Sequence, residues 1–343
     1  MSTQQDMETE EGTAPDDVLE PGVPSVAPRH DTVLLEEAVE SLCVQPNDTV
    51  VDATLGGAGH FALLLSKLGA KGKLIGIDAD HSAIVRAEAH LATLPEATRP
   101  KVTLVEDNFS NLASILAQTG AESPDKVLFD LGWSGFQLST GRGFSFRADE
   151  PLLMTYGDPE KAETTAGDLV NHLSEVSLAD MIFALGEERF ARGIARSIVA
   201  RREEHPILTT FALVDAIEAG VPGWYKHRRL HPATKTFQAL RIAVNDELGA
   251  LRSGLAASIT ALRPGGRVAV ITFHSIEDRI VKAMLRDAAY AGQGILVCKK
   301  PIIASLAELT RNPRARSAKL RVFERVAETS TTIINHTLSS VYA

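Results

Sequence analysis

Short apolar runs rich in β-branched residues alternate along the chain with longer segments in which apolar residues recur at helical spacing. Seven such runs predict β-strands, at residues 49–51, 73–77, 101–105, 126–129, 266–273, 295–298 and 320–323. Between the first two, residues 61–68 predict a helix, and Gly69 is expected to end it as its C-cap. Strands separated by helices predict βαβ units, and therefore an α/β fold with a doubly wound, mostly parallel sheet.

The strand signal stops after residue 130 and returns only at residue 266, after a Pro-Gly-Gly turn. From about 138 to 245 the pattern is mostly helical, most clearly at 175–185 and 189–202. This predicts a helical domain inserted into the α/β domain. The predicted divisions are a tail at 1–28, the first part of the α/β domain at 29–137, the inserted helical domain at 138–245, and the second part of the α/β domain at 246–343.

Charge is distributed unevenly along the 343 residues, whose formal net charge is −9. Residues 1–28 hold seven acids and no Lys or Arg, so this tail is predicted to be disordered, and it resembles neither a signal nor a transit peptide. The rest of the chain holds 35 basic and 37 acidic residues. That near balance leaves nucleic acid open as a partner, because a local basic surface is what binds phosphates.

Composition restricts the compartment and the cofactor classes. The content of 44% hydrophobic and 23% charged residues is that of a soluble globular protein, and every apolar run is shorter than the roughly 20 residues of a membrane span. Cys43 and Cys298, the two cysteines, cannot form a disulfide scaffold or a CxxC site. We therefore predict a reducing, cytoplasmic location, no bound metal and no membrane partner, while the oligomeric state stays open.

A glycine-rich loop at 51–60 follows the first predicted strand and opens the first helix. Such a loop lets the backbone approach a ligand, and Asp78, 19 residues after Gly59, is placed to accept hydrogen bonds from ribose hydroxyls. An adenosine-containing cofactor is the expected ligand. Residues 57–62 satisfy GxGxxA, which leaves a nicotinamide dinucleotide as an alternative, and a plain tight turn is a third. The polar residues Asp52 and Thr54 at the end of the first strand favour S-adenosylmethionine, whose positive charges suit nearby carboxylates.

The fourth predicted strand runs into a loop, DLGW at 130–133, at the same edge of the sheet. Methylation of an exocyclic base amine needs groups that hold the base, accept the amine hydrogens and align the reacting atoms. Asp130 and Trp133 are candidates: Asp130 or a loop carbonyl accepts the amine hydrogens, and the Trp133 ring stacks on the base. The alternative is that Trp133 is a buried side chain that covers the core.

Six stretches closely resemble one family, in order and with matching spacing between about residues 30 and 325. They are HDTVLLE at 30–36, RGFSFR at 142–147, GEERF at 186–190, HPATKTFQALRIAVNDEL at 231–248, FHSIEDRIVK at 273–282 and NPRARSAKLR at 312–321. The family is that of the bacterial small-subunit (16S) ribosomal RNA cytosine-N4 methyltransferases, RsmH, also called MraW. The strings at 231–248 and 312–321 make this resemblance highly specific.

The resemblance implies a class I (Rossmann-like) methyltransferase fold with an inserted helical substrate-recognition domain. It implies S-adenosylmethionine as the methyl donor, and as substrate a cytosine in the decoding region, with small-subunit ribosomal RNA or the assembled subunit as partner. The positions that match the family's cofactor contacts are Ala58, Gly59, His60, Asp78, Phe109, Asp130 and Gln137.

The chain departs from the family pattern at three places. The usual GRGGH is GGAGH at 56–60, DLGxSSPQLD is DLGWSGFQLS at 130–139, and PLDMRMD is PLLMTYG at 151–157. Asp130 and Trp133 have the spacing of the DPPY-type loop of other amino-methyltransferases. The departures leave open a catalytically weakened relative that binds RNA as a ribosome-assembly factor, and the GxGxxA match leaves open a nicotinamide-dependent oxidoreductase.

Two basic segments are candidate RNA surfaces. Residues 224–231 (WYKHRRLH) interleave aromatic rings with cations, and residues 311–325 hold six Lys or Arg residues and one acid. The alternative for each is a solvated charged surface. Together with the family's RNA substrate, these segments and the sheet edge suggest RNA contacts by His231, Lys235, Arg241, Asn245, His274, Ser275, Arg314 and Arg316.

Overall fold

A seven-stranded sheet forms the centre of the molecule in a computed structural model that describes residues 31–95, 99–132 and 141–327. Its strands are β1 (Thr49–Asp52), β2 (Lys73–Asp78), β3 (Lys101–Glu106), β4 (Lys126–Asp130), β5 (Arg267–Thr272), β6 (Gly294–Leu296) and β7 (Lys319–Arg325). They lie in the order β3-β2-β1-β4-β5-β7-β6. All neighbours are parallel except that β7 runs antiparallel to β5 and β6. The predicted α/β, mostly parallel, doubly wound sheet is confirmed.

Thirteen helices flank the sheet or form the insertion in the described part of the chain. They are α1 (Leu35–Leu42), α2 (Gly59–Lys67), α3 (His81–Ala92), α4 (Leu112–Thr119), α5 (Ala166–His172), α6 (Glu175–Gly186), α7 (Ala191–Glu204), α8 (Thr210–Ala219), α9 (Gly223–Lys226), α10 (Thr234–Val244), α11 (Glu247–Ala261), α12 (Ser275–Tyr290) and α13 (Leu306–Arg311). None of them is long and apolar enough to cross a membrane.

The central strands carry apolar residues on both faces because helices cover both faces of the sheet. Successive side chains of a strand point to opposite faces. Val50 and Leu128 therefore pack into a core with α1, α2 and α3, while Val51 and Phe129 pack into a second core with α4, α11 and α12. The two cores fix the strand register, including the pairing of Val51 with Val127, and so fix which residues follow the strands at their carboxyl ends.

The chain between β4 and β5 forms a separate helical layer with its own core. This core is built from α5, α6, α7, α8 and α10, together with Leu152 and Met154. The prediction of helices is confirmed from residue 166 onward. It is wrong for residues 141–165, which contain only a short 3₁₀ turn, because Gly143, Pro151 and a left-handed Met154 (φ 57°) interrupt the backbone there. The domain boundaries stay predictions, and the tail at 1–28 lies outside the described residues.

Gly69 does not cap the helix that precedes it, so that prediction is wrong. The C-cap of α2 is Leu68 in an extended conformation (φ −89°, ψ 141°). The backbone N–H of Gly69 instead donates to the carbonyl of Pro46 at 2.8 Å. The chain after α2 is therefore held by the loop before β1 rather than by a left-handed glycine.

Candidate active site

A cavity of about 560 Å³ opens at the carboxyl ends of the central strands. In an open α/β sheet this edge is the expected ligand site, at the point where the strand order reverses between β1 and β4. The cavity volume is in the range of small-molecule and cofactor sites. Its lining comes from the loops after β1, β2, β3, β4 and β5, from the insertion, and from a turn that includes Pro313.

The loop after β1 brings its backbone close to the segment that precedes α1. Gly56 (φ 47°) and Ala58 (φ 62°) both adopt left-handed conformations, and Gly59 begins α2. A β-carbon at Gly59 would overlap Thr32 Oγ1 and would lie 2.9 Å from Thr32 Cβ. Glycine is therefore needed at position 59 for close packing, whereas the family departure at Ala58 is accommodated as a left-handed residue.

Gly59→Ala is expected to lower the free energy of unfolding by about 1–3 kcal/mol, the usual cost of overpacking. Urea unfolding measures the effect. Adding Thr32→Ala should recover part of the loss, because it removes the overlapping Oγ1 atom. Gly223→Ala is the matched control, since a β-carbon there meets no atom within 4 Å. Equal stabilities of the two glycine variants would contradict the contact.

Asp78 ends β2 and holds the glycine loop by its carboxyl group. Its Oδ2 accepts from the backbone N–H of Gly56 and its Oδ1 accepts from that of Asp80, both at 2.8 Å. Burial raises the pKa of Asp78 in spite of these hydrogen bonds. The residue lines the cavity, and each oxygen keeps a further lone pair. A ribose hydroxyl can donate to this group, as the sequence suggested.

Three titratable side chains meet below the loop, at the ends of β1 and β4 and the start of α2. His60 is buried, and its Nδ1 lies 3.4 Å from Asp130 Oδ2. Burial raises the pKa of Asp52 to about 7, although His60 and a hydrogen bond from the Thr54 backbone act to lower it. Burial would lower the pKa of His60, but its hydrogen bond to Asp130 and the charges of Asp130 and Asp52 raise it. Asp52 Oδ2 and Asp130 Oδ1 have no hydrogen-bond partner among the described residues.

The raised pKa of Asp52 makes stability depend on pH. From about pH 4, near the ordinary pKa of an aspartate, up to about pH 7, the folded protein holds a proton that the unfolded chain has released. Raising the pH through this window therefore destabilises wild type. Asp52→Asn has no such proton. The free energy of unfolding of Asp52→Asn minus that of wild type should therefore be larger at about pH 7.5 than at about pH 4.5. Urea unfolding at both pH values tests this, and a constant difference would contradict it.

Aromatic rings from the insertion form another wall of the cavity, which sequence analysis missed. Phe144, Phe146, Tyr156 and Phe237 line it. The rings of Phe144 and Tyr156 stack with centroids 5.7 Å apart and planes inclined by 14°, while Phe146 and Phe237 meet edge to face at 5.2 Å. Stacked rings of this kind can receive a planar heterocycle. The signal available in the sequence was the pair of phenylalanines in RGFSFR.

Arg142 connects this aromatic segment to the cofactor side of the cavity. Its Nη1 donates to the carbonyls of Thr155, Tyr156 and Gly157 at 2.9–3.2 Å. Its Nη2 donates to Asp80 Oδ2 at 2.9 Å. The insertion is therefore fastened to the residues that follow β2.

Arg241 and Asn245, two of the predicted RNA contacts, form hydrogen bonds inside the protein. Arg241 is buried and donates from Nε and Nη2 to both oxygens of Glu247, at 2.7 and 3.0 Å. Tyr156 Oη donates to the same carboxylate at 2.8 Å. Asn245 accepts from the Tyr156 N–H and donates to the Met154 carbonyl. Arg241 also lines the cavity, and RNA contact by Arg241 or Asn245 stays a prediction.

His274 and Ser275 lie where β5 ends and α12 begins. His274 is the N-cap of α12, where it forms a capping box with Glu277, and it lines the cavity. Ser275 Oγ donates to Glu187 Oε2 at 2.6 Å, across the gap between the α/β domain and the insertion. RNA contact by either residue stays a prediction.

The other predicted RNA residues lie around the cavity or near it. Arg314 and Arg316 line it from the turn before β7. The His231 ring stacks on Phe146 at 4.6 Å, and Lys235 Nζ donates to the Glu187 carbonyl at 2.7 Å. Their contacts with RNA stay predictions.

Phe109 is the last cofactor candidate within the described residues. It lines the cavity and packs edge to face on Phe129, with centroids 5.5 Å apart. Gly254 in α11 makes room for it, since a β-carbon there would lie 2.8 Å from the Phe109 ring. Trp133 and Gln137 lie outside the described residues.

Among the described residues, one group of possible metal ligands comes together: Glu247, His274 and Glu277, whose ligand atoms lie within 4.8 Å of one another. Arg241 already occupies both oxygens of Glu247. Burial acts to raise the pKa of Glu277, but His274 and other partners lower it overall. The group therefore forms a cluster of ion pairs and a helix cap, in which His274 Nε2 has no hydrogen-bond partner among the described residues.

Comparison with known proteins identifies the family. A family model described as the MraW methylase family matches residues 27–326. Proteins called "Ribosomal RNA small subunit methyltransferase H" are 44% identical in Brevibacillus brevis, 46% in Deinococcus deserti and 45% in Geotalea daltonii. Each match covers 87% of this chain, and 98%, 93% and 99% of the respective relative. The oxidoreductase alternative, which rested on GAGHFA alone, is therefore wrong. The chain belongs to the MraW methylase family.

Proposed function

We propose that the protein transfers a methyl group from S-adenosylmethionine to the exocyclic N4 of a cytosine in the decoding region of small-subunit ribosomal RNA. The relatives' name supplies the substrate class, and the family resemblance, carried most specifically by the motifs at 231–248 and 312–321, implies the cytosine N4. The observation that carries the proposal is that one cavity joins an acidic loop edge, with Asp78 and Asp130, to an aromatic wall, with Phe144 and Tyr156.

The residues present fit the methyl donor. Asp78 offers carboxylate oxygens at the end of β2, where ribose hydroxyls are bound in folds of this kind. Asp130 lines the cavity, and its Oδ1 is a buried carboxylate oxygen with no hydrogen-bond partner in the described chain, which suits a positively charged ligand. Gly59 lets the chain at Thr32 close over the loop. When bound, S-adenosylmethionine supplies an electrophilic methyl group on a sulfonium.

Chemistry at the cytosine requires positioning and removal of one proton. When bound, the donor would supply its methyl group to the N4 lone pair, and N4 would have to give up one proton to this chain. Asp130 lines the cavity and is the candidate acceptor for the N4 hydrogens. His60, 3.4 Å from Asp130 Oδ2, orients that carboxylate.

The base requires a dry, planar site, because a target inside folded RNA must leave its stack to reach the enzyme. The stacked Phe144 and Tyr156 rings and the edge-to-face pair of Phe146 and Phe237 supply apolar surface for it. Stacking of Trp133 on the cytosine remains part of the proposal.

The alternative of a weakened relative that only assists assembly is not favoured. Ala58 adopts a left-handed conformation, and the carbonyls of Thr155 and Gly157, at two divergent positions, accept from Arg142. Tyr156, at another divergent position, donates to Glu247 and lines the cavity. The family departures in the described residues therefore have places in the fold. Cytoplasmic location stays a prediction.

A methyl-transfer assay with labelled S-adenosylmethionine tests the proposal. Small ribosomal subunits that lack the modification are compared with naked ribosomal RNA, and the product nucleoside is identified by mass. N4-methylcytidine is the expected product. Tight binding of donor and subunit without product would favour the assembly factor, and absence of donor binding would reject both.

A further inference from the structure

A cluster of aromatic rings surrounds one guanidinium on the outside of the insertion. The Arg189 guanidinium carbon lies 4.7 Å from the ring centroid of Phe190, 4.8 Å from that of Trp224 and 5.6 Å from that of Tyr225. The Trp224 and Tyr225 rings are nearly perpendicular, at 88°. Arg189 thus holds three rings together by cation–π contacts.

One side of the cluster is held inside the protein by Tyr225, and the other side, at Trp224, is exposed to solvent. Tyr225 is buried, and its hydroxyl donates to the buried carboxylate of Glu188 at 2.6 Å, with burial raising the pKa of Tyr225 to about 12. Trp224 is 55% exposed. A large aromatic ring that is fixed at its edge and left open to solvent is preorganised to stack on a ligand.

The surface around Trp224 is strongly basic. Four exposed residues that can carry a positive charge follow Tyr225 directly: Lys226, His227, Arg228 and Arg229. Arg228 lies over the Tyr225 ring at 5.5 Å. In the described chain, the acid that forms an ion pair with this segment is Glu218, 3.9 Å from Lys226 and 3.8 Å from His231. A rigid ring surrounded by cations is the combination that binds unpaired nucleotides, whose bases stack and whose phosphates attract the cations.

A chain of contacts connects the cluster to the cavity. Glu187, next to the Tyr225 anchor Glu188, accepts from Ser275 at 2.6 Å and from Arg279 at 2.6 Å. Ser275 follows His274, which lines the cavity. RNA that enters the cavity near His274 can extend along this connection toward Trp224.

We propose that Trp224 and Arg189 form a stacking platform for an unpaired nucleotide that flanks the target cytosine. The inference rests on the proposed function and adds a second contact outside the cavity. The exposed cations select RNA over an apolar protein surface as the occupant. By holding a neighbouring nucleotide, the platform contributes to RNA affinity and leaves the chemical step unchanged.

Trp224→Ala should raise KM for the RNA substrate about tenfold, the effect of losing one base–aromatic stack, while kcat and the affinity for S-adenosylmethionine stay at wild-type values. Arg189→Gln should raise KM in the same direction. Tyr290→Ala is the control, because Tyr290 is 84% exposed at the far end of α12. Melting temperature checks that each variant folds, as expected for an exposed ring.

Direct binding separates this inference from the proposed function. A fluorescent single-stranded oligonucleotide that carries the target cytosine and its flanking nucleotides should bind Trp224→Ala about tenfold more weakly than wild type. The difference in affinity is expected whether or not the wild-type protein methylates the oligonucleotide. Unchanged KM and unchanged oligonucleotide affinity would overturn the platform. Weaker binding of assembled subunits with unchanged binding of naked RNA would also overturn it, because the partner would then be protein.

Discussion

Methyl transfer by Asp130→Asn is expected to be slower than wild type by a factor of about 10²–10⁴ in kcat, the range for loss of a positioned proton acceptor. Asparagine preserves the size of the side chain at the end of β4. It cannot accept a proton from N4, and it removes the negative charge that lies 3.4 Å from the His60 ring. The chemical step should therefore fail while the fold persists.

Initial rates at saturating S-adenosylmethionine and RNA measure this effect, with donor affinity determined separately by titration. Asp287→Asn, at an exposed carboxylate on α12, serves as the control and should keep wild-type rates. If Asp130→Asn keeps kcat within twofold of wild type, Asp130 does not take the proton.

Arg241→Met is expected to lower the free energy of unfolding by about 3–5 kcal/mol, because it leaves the carboxylate of Glu247 buried without its partner. Both side chains are only 10% exposed. Burial acts to lower the pKa of Arg241, but the charge of Glu247 outweighs it and raises the pKa. The pair also holds Tyr156 in the cavity wall, so the loss should extend to the aromatic surface.

The double variant Arg241→Met with Glu247→Gln should recover most of this stability, because glutamine is uncharged and still accepts from Tyr156. Arg279→Met is the control. Its ion pair with Glu187 is exposed, with Arg279 at 67%, and exposed pairs contribute about 0–1 kcal/mol. Urea unfolding of wild type, the two single variants and the double variant measures these differences. An Arg241→Met variant as stable as Arg279→Met would contradict the predicted loss of stability.

The sheet and the acidic side of the cavity could be predicted from the sequence because both depend on local pattern. Apolar runs fixed the strands, and a polar residue that directly follows such a run must lie at the sheet edge. Asp78 and Asp130 were found in this way, and the structure shows both lining one cavity. The glycine-rich loop could also be predicted from the sequence. Glycine is needed at position 59 because a β-carbon there would overlap the Thr32 side chain.

The aromatic wall could not be predicted, because Phe144 and Tyr156 lie in irregular backbone without a helical or strand period. Their positions depend on Arg142, which collects three carbonyls and Asp80 from distant parts of the chain. The partner of Arg241 was missed for a related reason. A basic residue on a helix suggests a surface contact, and only the tight connection between α10 and α11 brings Glu247 to it.

The position of the insertion has a consequence for how fast the sheet closes. Phe129 in β4 pairs with Val270 in β5, so the central pairing joins residues separated by the whole helical layer. Closing a flexible loop of about 140 residues costs about 2 kcal/mol more than closing one of about 10 residues. A preformed helical layer, with its own core, shortens the chain that must be closed. Mutations that unfold the layer should therefore slow refolding of the sheet as well, even where they touch no strand.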